Sequence, residues 1–335
     1  FKKSEATYVG DRVIVDVSRE WSKDLPHSNG FGINKISYVD WWVGKGKKSR
    51  IGVIAQLTDE LSLNYNYMEG DITRGGIRYK QNASKTALVP EGAKYNYRYN
   101  DRRHTASLVY QGKENGIHAV LGYNYRLVDG FDYIANKPSN SNAKMDGQIL
   151  DVQKNWKLGE DSMVLGYSYQ REGIDLPEQK RSVVRTGNSL YASYSKQFTP
   201  RFNVTLGLRG ELINDPAKDQ NVFMPQIQTE YKFDHNTAWY TNIGKAFQMP
   251  TVDDVTRHQN LRGTQLKPEE GWTYETGVKL RRGKDTWKAA IYHMDMKDKL
   301  TWKRIVGQKN TTWQTRATIG IRALKSSMQD GSMIC

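Results

Sequence analysis

Few residues in this chain have the types and spacing that chemistry requires. No Ser/His/Asp order, paired-carboxylate site, phosphate-cradling glycine loop or HExxH spacing stands out, so no catalytic residue is assigned and an enzyme is not expected. What remains is binding chemistry. His258, with Arg257 beside it, sits in a polar stretch; a histidine changes charge near neutral pH and ligates metals, although one in a loop is more often simply solvated. Trp41 and Trp42 precede a cationic run, Gly44 to Arg50 (GKGKKSR). This group could grip an aromatic or anionic chelate from an outer loop, or the tryptophans could be interfacial anchors beside a solvated loop. The single cysteine, Cys335, is the last residue, which leaves neither a disulfide framework nor a cysteine-ligated metal site. No cofactor or resident metal is expected.

The residues around His258 are organised by the stretch from Gly244 to Leu280. Pro250 cannot donate to a strand ladder, so a strand carrying Ile243 should stop near Phe247, and Pro268 marks the far edge of the interruption. Between the two prolines lies a loop of about seventeen residues, long enough to be functional or disordered. Beyond it Trp272, Tyr274, Thr276, Val278 and Leu280 alternate with Thr273, Glu275, Gly277, Lys279 and Arg281. That is the period of a strand with one apolar and one polar face.

Composition narrows the class. The 335 residues are only 37% hydrophobic, and the mean hydropathy of -0.75 would give a soluble protein a thin core. No apolar run approaches the ~20 residues of a membrane-spanning helix. Twenty tyrosines and nine tryptophans in so polar a chain suit strands and the aromatic girdles of membrane barrels. A net charge of +14 is compatible with nucleic acid, an anionic surface or an anionic ligand. The cations are scattered through turns and loops, so nucleic acid is not expected as a partner.

Short turns punctuate the chain at Thr58 to Glu60, Gly112 to Gly116, Gly159 to Asp161, Thr199 to Arg201, Asp234 to Thr237 and Arg282 to Asp285. The stretches between them hold about two strands and one longer connection each, so short and long connections alternate as in membrane barrels. The strands leaving the turns repeat a pattern. Leu61, Leu63, Tyr65, Tyr67 is followed by Ile117, Ala119, Leu121, Tyr123, Tyr125, then Met163, Leu165, Tyr167, Tyr169, and Phe202, Val204, Leu206, Leu208, alternating, apart from Val120 and Val164, with polar residues or glycine. In three of the four the aliphatic residues come first and a tyrosine pair last, which puts aromatics at one interface of a strand of ~9 to 11 residues. A soluble β-sandwich also alternates, but it does not require tyrosine pairs to recur at one depth.

Residues 5–18 read as one more strand, and residues 36–43 as either a strand or part of a long outer loop, the parity of the later turns favouring the loop. Further outer loops are expected at 69–93, 128–147, 171–186 and 214–221. The fold class is therefore all-β, a transmembrane antiparallel barrel of which about fourteen strands are present.

These pieces together resemble TonB-dependent outer-membrane receptors. Residues 50–73 are similar to an early barrel hairpin, 188–233 to the middle hairpins with a strand entering at Met224-Pro225, and 238–303 to the late segment. The late segment carries the resemblance best: Phe247 and Pro250 at the strand exit, Leu266, Lys267, Pro268 and Glu269 at re-entry, and Tyr274, Glu275 and Gly277 in the next strand. The resemblance implies a bacterial outer-membrane receptor that takes up an iron-siderophore or similar chelate. Its partners would be the membrane lipid, the large solute and the TonB complex acting through a plug inside a barrel of about twenty-two strands. It places His258 where haem receptors of this kind carry a haem-ligating histidine, although Gly263 to Leu266 departs from their asparagine-proline motif. The alternatives are a haem receptor, or a passive porin of about fourteen to sixteen strands.

Set against the family pattern, a plug, a TonB box and a signal peptide are not found in these residues, and the expectation is a partial barrel spanning 1–319. Residues 320–335 do not alternate and form an off-pattern tail. A choice of codons exists that restores alternation in a shifted frame, so the tail is expected to be out of frame.

Overall fold

The computed structural model describes residues 2–27, 37–81, 84, 88–258, 266–283, 285–304, 311–316 and 319–329, with the side chains of 22–27, 37–45, 74, 76–81, 88–96, 257–258, 300–304, 311–316 and 319–329 outside the description. Strands dominate: β1 (Lys2–Val9), β2 (Val13–His27), β3 (Ser37–Gln56), β4 (Leu61–Gln81), β5 (Leu88–Gln111), β6 (Ile117–Asp132), β7 (Lys137–Pro138), β8 (Ala143–Leu158) and β9 (Asp161–Leu176) come first. After a short 3-10 turn at Pro177–Gln179 follow β10 (Arg181–Thr199), β11 (Phe202–Asn214), β12 (Gln220–Lys232), β13 (Thr237–Gln248), helix α1 (Val252–His258), β14 (Glu269–Arg282) and β15 (Asp285–Lys297). The last are β16 (Lys299–Arg304), β17 (Thr311–Arg316) and β18 (Ile319–Gln329).

One antiparallel sheet holds β1 to β6, β8 to β15 and β18 in that order, with β7 attached to β6, while β16 and β17 form a separate hairpin. Most strands pair with the next in sequence; the order skips β7 between β6 and β8, and β16 and β17 between β15 and β18. All six short turns expected from the sequence join consecutive strands. Their chemistry is local. At the first, the Thr58 hydroxyl accepts from the N–H groups of Glu60 and Leu61 at 3.2 and 3.1 Å.

Two compact units divide the chain: Phe1–Gln111 with Val120–Ile149 and Glu172–Val183, and Gly112–Ala119 with Leu150–Arg171 and Val184–Cys335. In the first unit the strands outgrow the sequence reading. The expected single strand over 5–18 is broken at Gly10-Asp11-Arg12, where the Gly10 N–H closes a turn onto the Val13 carbonyl at 2.8 Å. Of the outer loop favoured over 36–43, residues 37–43 are strand, with Trp41 opposite Gly76 and Trp42 opposite Gly75, and residue 36 lies outside the described residues. Likewise β4 and β5 are 21 and 24 residues long and remain paired out to Gln81 and Leu88, where a loop over 69–93 was expected. Once a hairpin is in register its backbone groups continue to pair, and polar residues with Gly75, Gly76 and Pro90 hide the period that sequence reading depends on. The same holds over 128–147 and 171–186, where β6, β8, β9 and β10 run into the expected loops. The loop over 214–221 is real and short, at 215–219.

In the second unit β10 to β15 and β18 pair in sequence. The strand expected to enter at Met224-Pro225 already begins at Gln220. Pro225 pairs with Leu208 of β11, while the β12–β13 ladder starts one residue later, at Gln226 opposite Gly244, so the missing N–H costs little there. Residues 319–329 lie along β15, from Ile319 opposite Met296 to Gln329 opposite Thr286.

Burial in this unit is the inverse of a soluble protein. Leu165, Leu190, Leu206 and Ile291 are 46, 65, 55 and 63% exposed, whereas Ser168 and Ser189 on the other face are 6 and 4% exposed. An apolar face turned outward along successive strands is stable only where the surroundings are themselves apolar. Among the described residues no helix is long and apolar enough to cross a membrane.

Candidate ligand site at the exit of strand β13

Strand β13 ends with Gln248 opposite Glu269, because Pro250 has no N–H to continue the ladder. Pro250 is fully buried, and its carbonyl accepts from Nη1 of Arg185 at 2.8 Å. The next residues are helical, where sequence reading expected only loop. Thr251 caps α1: its hydroxyl accepts from the Asp254 N–H at 3.1 Å and donates to the Asp254 carboxylate at 2.6 Å. This Thr-x-x-Asp spacing was the available signal for the helix. Val252, Val255 and Leu266 are all buried, and Val255 of the helix shares a cavity wall with Leu266 of the re-entry segment.

Arg185, on β10, was not recognised from sequence. Its Nε donates to Asp215 Oδ2 at 2.6 Å, and both side chains are buried. Asp215 in turn accepts from the N–H groups of Ala217 and Lys218 at 2.8 and 3.4 Å, and its own N–H donates to Asp219 Oδ1 at 3.0 Å. One guanidinium thus joins β10, the 215–219 loop and the β13 exit. Further hydrogen bonds on both partners offset part of the cost of burying this charge pair.

Beside this clamp opens a cavity of ≈ 240 Å³. Phe247, Pro250, Leu266, Lys267 and Pro268, all singled out in the sequence, line it together. Lys218, Lys245 and Lys267 face the same space as Asp215, Glu270 and Asp298, and Lys245 pairs with Glu270 at 3.1 Å. Charges so balanced, beside apolar walls, suit a small group with one polar edge. Among the described residues no cluster of metal-ligating side chains occurs.

The other motif residues have a different place. Tyr274 lies on the exposed apolar face of β14, its ring centroid 6.5 Å from Trp272 and 6.1 Å from His293. Glu275 faces the other way and accepts from Tyr240 at 2.6 Å and Lys288 at 3.0 Å. Gly277 stands opposite Tyr240, and a Cβ there would meet the tyrosine oxygen at 2.8 Å. The glycine therefore makes room for the ring to lie over β14 and reach Glu275, with Lys279 and Lys288 at 5.1 and 4.7 Å from the ring centre. Gly166 and Tyr191 repeat the device: a Cβ on Gly166 would run into the ring, whose hydroxyl donates to Asp151 at 2.9 Å. Tyr274, Glu275 and Gly277 build the wall rather than line the cavity.

His258 and Arg257 close α1, and Trp41 and Trp42 lie in β3 of the first unit, but the side chains of all four are outside the described residues. Glu269 pairs with Gln248 at the cavity's edge.

A family model described as TonB dependent receptor-like, beta-barrel, matches residues 14–321. Solved structures share the fold. A mutant of the ferric enterobactin receptor PfeA from Pseudomonas aeruginosa has a TM-score of 0.65 at 14% identity, over 97% of this chain and 56% of that one. The siderophore receptor PirA from Pseudomonas aeruginosa gives 0.61 at 12% identity, over 97% and 61%. The hemophore receptor HasR of Serratia marcescens, solved with its hemophore HasA and heme, gives 0.66 at 11% identity, over 97% and 58%. The chain thus spans 56 to 61% of the length of these three, and at such identities the likeness is one of fold. No curated protein sequence matches it.

Proposed function

The chain belongs to the TonB-dependent receptor β-barrel family, and from that premise we propose that it serves energy-coupled uptake of an iron-siderophore or similar chelate across the bacterial outer membrane. Members of this family are transporters, not enzymes. The observation that carries the reading is the family match over 14–321 together with the outward apolar face of the strands. A passive porin is disfavoured by the same match. The partners proposed are the outer-membrane lipid, the chelate and the TonB complex. His258 and Arg257 at the end of α1, and Trp41 and Trp42 in β3, are the proposed ligand contacts.

The test is accumulation of radiolabelled ferric siderophores by cells in which the full-length receptor is the sole route of entry, with and without an intact TonB complex. Uptake that requires TonB and saturates at low concentration is expected. Entry that persists without TonB and rises linearly with concentration would overturn the reading in favour of a pore. Haemin in the same assay decides whether the chelate is haem.

A further inference from the structure

In the first unit, three neighbouring strands bring Lys48 of β3, Gly70 of β4 and Asp101 of β5 into one row, with Lys48 opposite Gly70 and Gly70 opposite Asp101. They lie on the face that carries Asn64 and Asn66, the polar one. Asp101 holds two arginines at once. Its Oδ1 accepts from Nε of Arg103 at 3.1 Å and from Nε of Arg126 at 3.0 Å, and its Oδ2 from their Nη2 atoms at 2.6 and 2.9 Å.

One carboxylate engaged twice over in two-pronged contacts fixes both guanidinium planes, yet each pair occupies only one edge of its arginine. Both arginines stay substantially exposed, at 44 and 39%, against 26% for the aspartate. Together with Lys48 they line a cavity of ≈ 420 Å³ that also touches Tyr99 and Ile72. The floor of that cavity includes Gly70, where an added Cβ would meet nothing within 4 Å. Three cations thus share a space with one carboxylate, and the row between Lys48 and Asp101 is left open by a glycine.

We infer that this cavity is a binding site for a compact solute bearing several anionic oxygens, carboxylate or phosphate, held between Arg103, Arg126 and Lys48 and oriented by the Asp101 pin. The inference deepens the transport reading, on which it rests for the polar face being wet, by naming the anionic class of the solute.

Isothermal titration of citrate, and separately of pyrophosphate, into the detergent-solubilised full-length receptor at low salt tests it. Saturable binding of at least one probe with a Kd below about 1 mM is expected. Gly70→Leu, which fills the floor without changing charge, and Lys48→Gln should each weaken it about tenfold. Asp101→Asn is the sharpest variant. It adds positive charge, so a purely electrostatic surface would bind more tightly, whereas loss of the pin should weaken binding. Heat-modifiable migration on gels shows that each variant is folded. Binding of neither probe, indifference to Gly70→Leu, or tighter binding by Asp101→Asn would overturn the assignment. TonB-dependent uptake is measured separately, so a failure of the transport reading is distinguishable from a failure of this site.

Discussion

The Nε of Arg185 donates to Oδ2 of Asp215 across 2.6 Å, with the two side chains 8 and 2% exposed, while Nη1 of the same arginine holds the Pro250 carbonyl. A strand, a loop and a strand exit far apart in sequence are therefore tied through one guanidinium.

Arg185→Leu leaves the Asp215 carboxylate buried without its countercharge and should destabilise this region by about 3–5 kcal/mol. The double variant Arg185→Leu/Asp215→Leu should recover much of that loss, because neither charge then remains to be desolvated. Hydrogen exchange across 215–219 and 249–256 reads both. Equal protection in the single variant and the wild type would contradict the clamp.

Gly277→Ala puts a methyl group 2.8 Å from the Tyr240 oxygen and against the Ala289 carbonyl. A cost of about 1–3 kcal/mol is expected, as for overpacking. Tyr240→Phe keeps the ring and removes the hydroxyl that bonds Glu275 and Lys288, while Glu275 keeps its bond from Lys288, so about 1 kcal/mol should be lost. Urea unfolding in detergent or lipid distinguishes the two, and the reverse ranking would show that the ring does not need the glycine.

Thr251→Ala removes the cap of α1 and should loosen the helix by about 1 kcal/mol, whereas Thr251→Ser should keep most of it. Proteolysis after residues of α1 is the readout. A helix equally protected in Thr251→Ala would place its stability wholly in the packing of Val252 and Val255.

Asp234 lies in the short turn between β12 and β13, outside the strands, and its Oδ1 accepts from the N–H groups of Asn236 at 2.7 Å and Thr237 at 2.8 Å. The Asn236 N–H is the largest influence and, with the N–H and hydroxyl of Thr237 adding to it, holds the pKa below the ordinary carboxylate value against desolvation. A folded pKa below the unfolded one means that the turn's contribution is complete above the unfolded pKa and is lost as pH falls through the folded value. Asp234→Asn should remove that acid-side dependence. An unchanged acid limb in the variant would show that the turn does not report through this group.

Trp41→Ala/Trp42→Ala should weaken chelate binding about tenfold while leaving the folded barrel intact, if both rings contact the solute as proposed. Loss of membrane insertion or thermal stability with unchanged affinity would make them interfacial anchors instead.

What the sequence determined by itself was every feature carried by neighbours along the chain. Alternation of Leu61 to Tyr67 and its repeats fixed strands and faces, glycine, aspartate and proline placed the six short turns, and Pro250 ended β13, since pleat, turn conformation and a missing N–H are properties of a few consecutive residues. The strand exit and re-entry could be singled out, but not the cavity they line. Only the tertiary structure decided that β4 and β5 stay paired past Glu69, because ladder bonding depends on a partner backbone and not on local hydrophobicity. It alone brought Arg185 to Asp215, which are 30 residues apart, and Asp101 to Arg126, which are 25 apart. Pairings of this kind follow from strand register, and register assigns neighbours across the sheet that no spacing along the chain records.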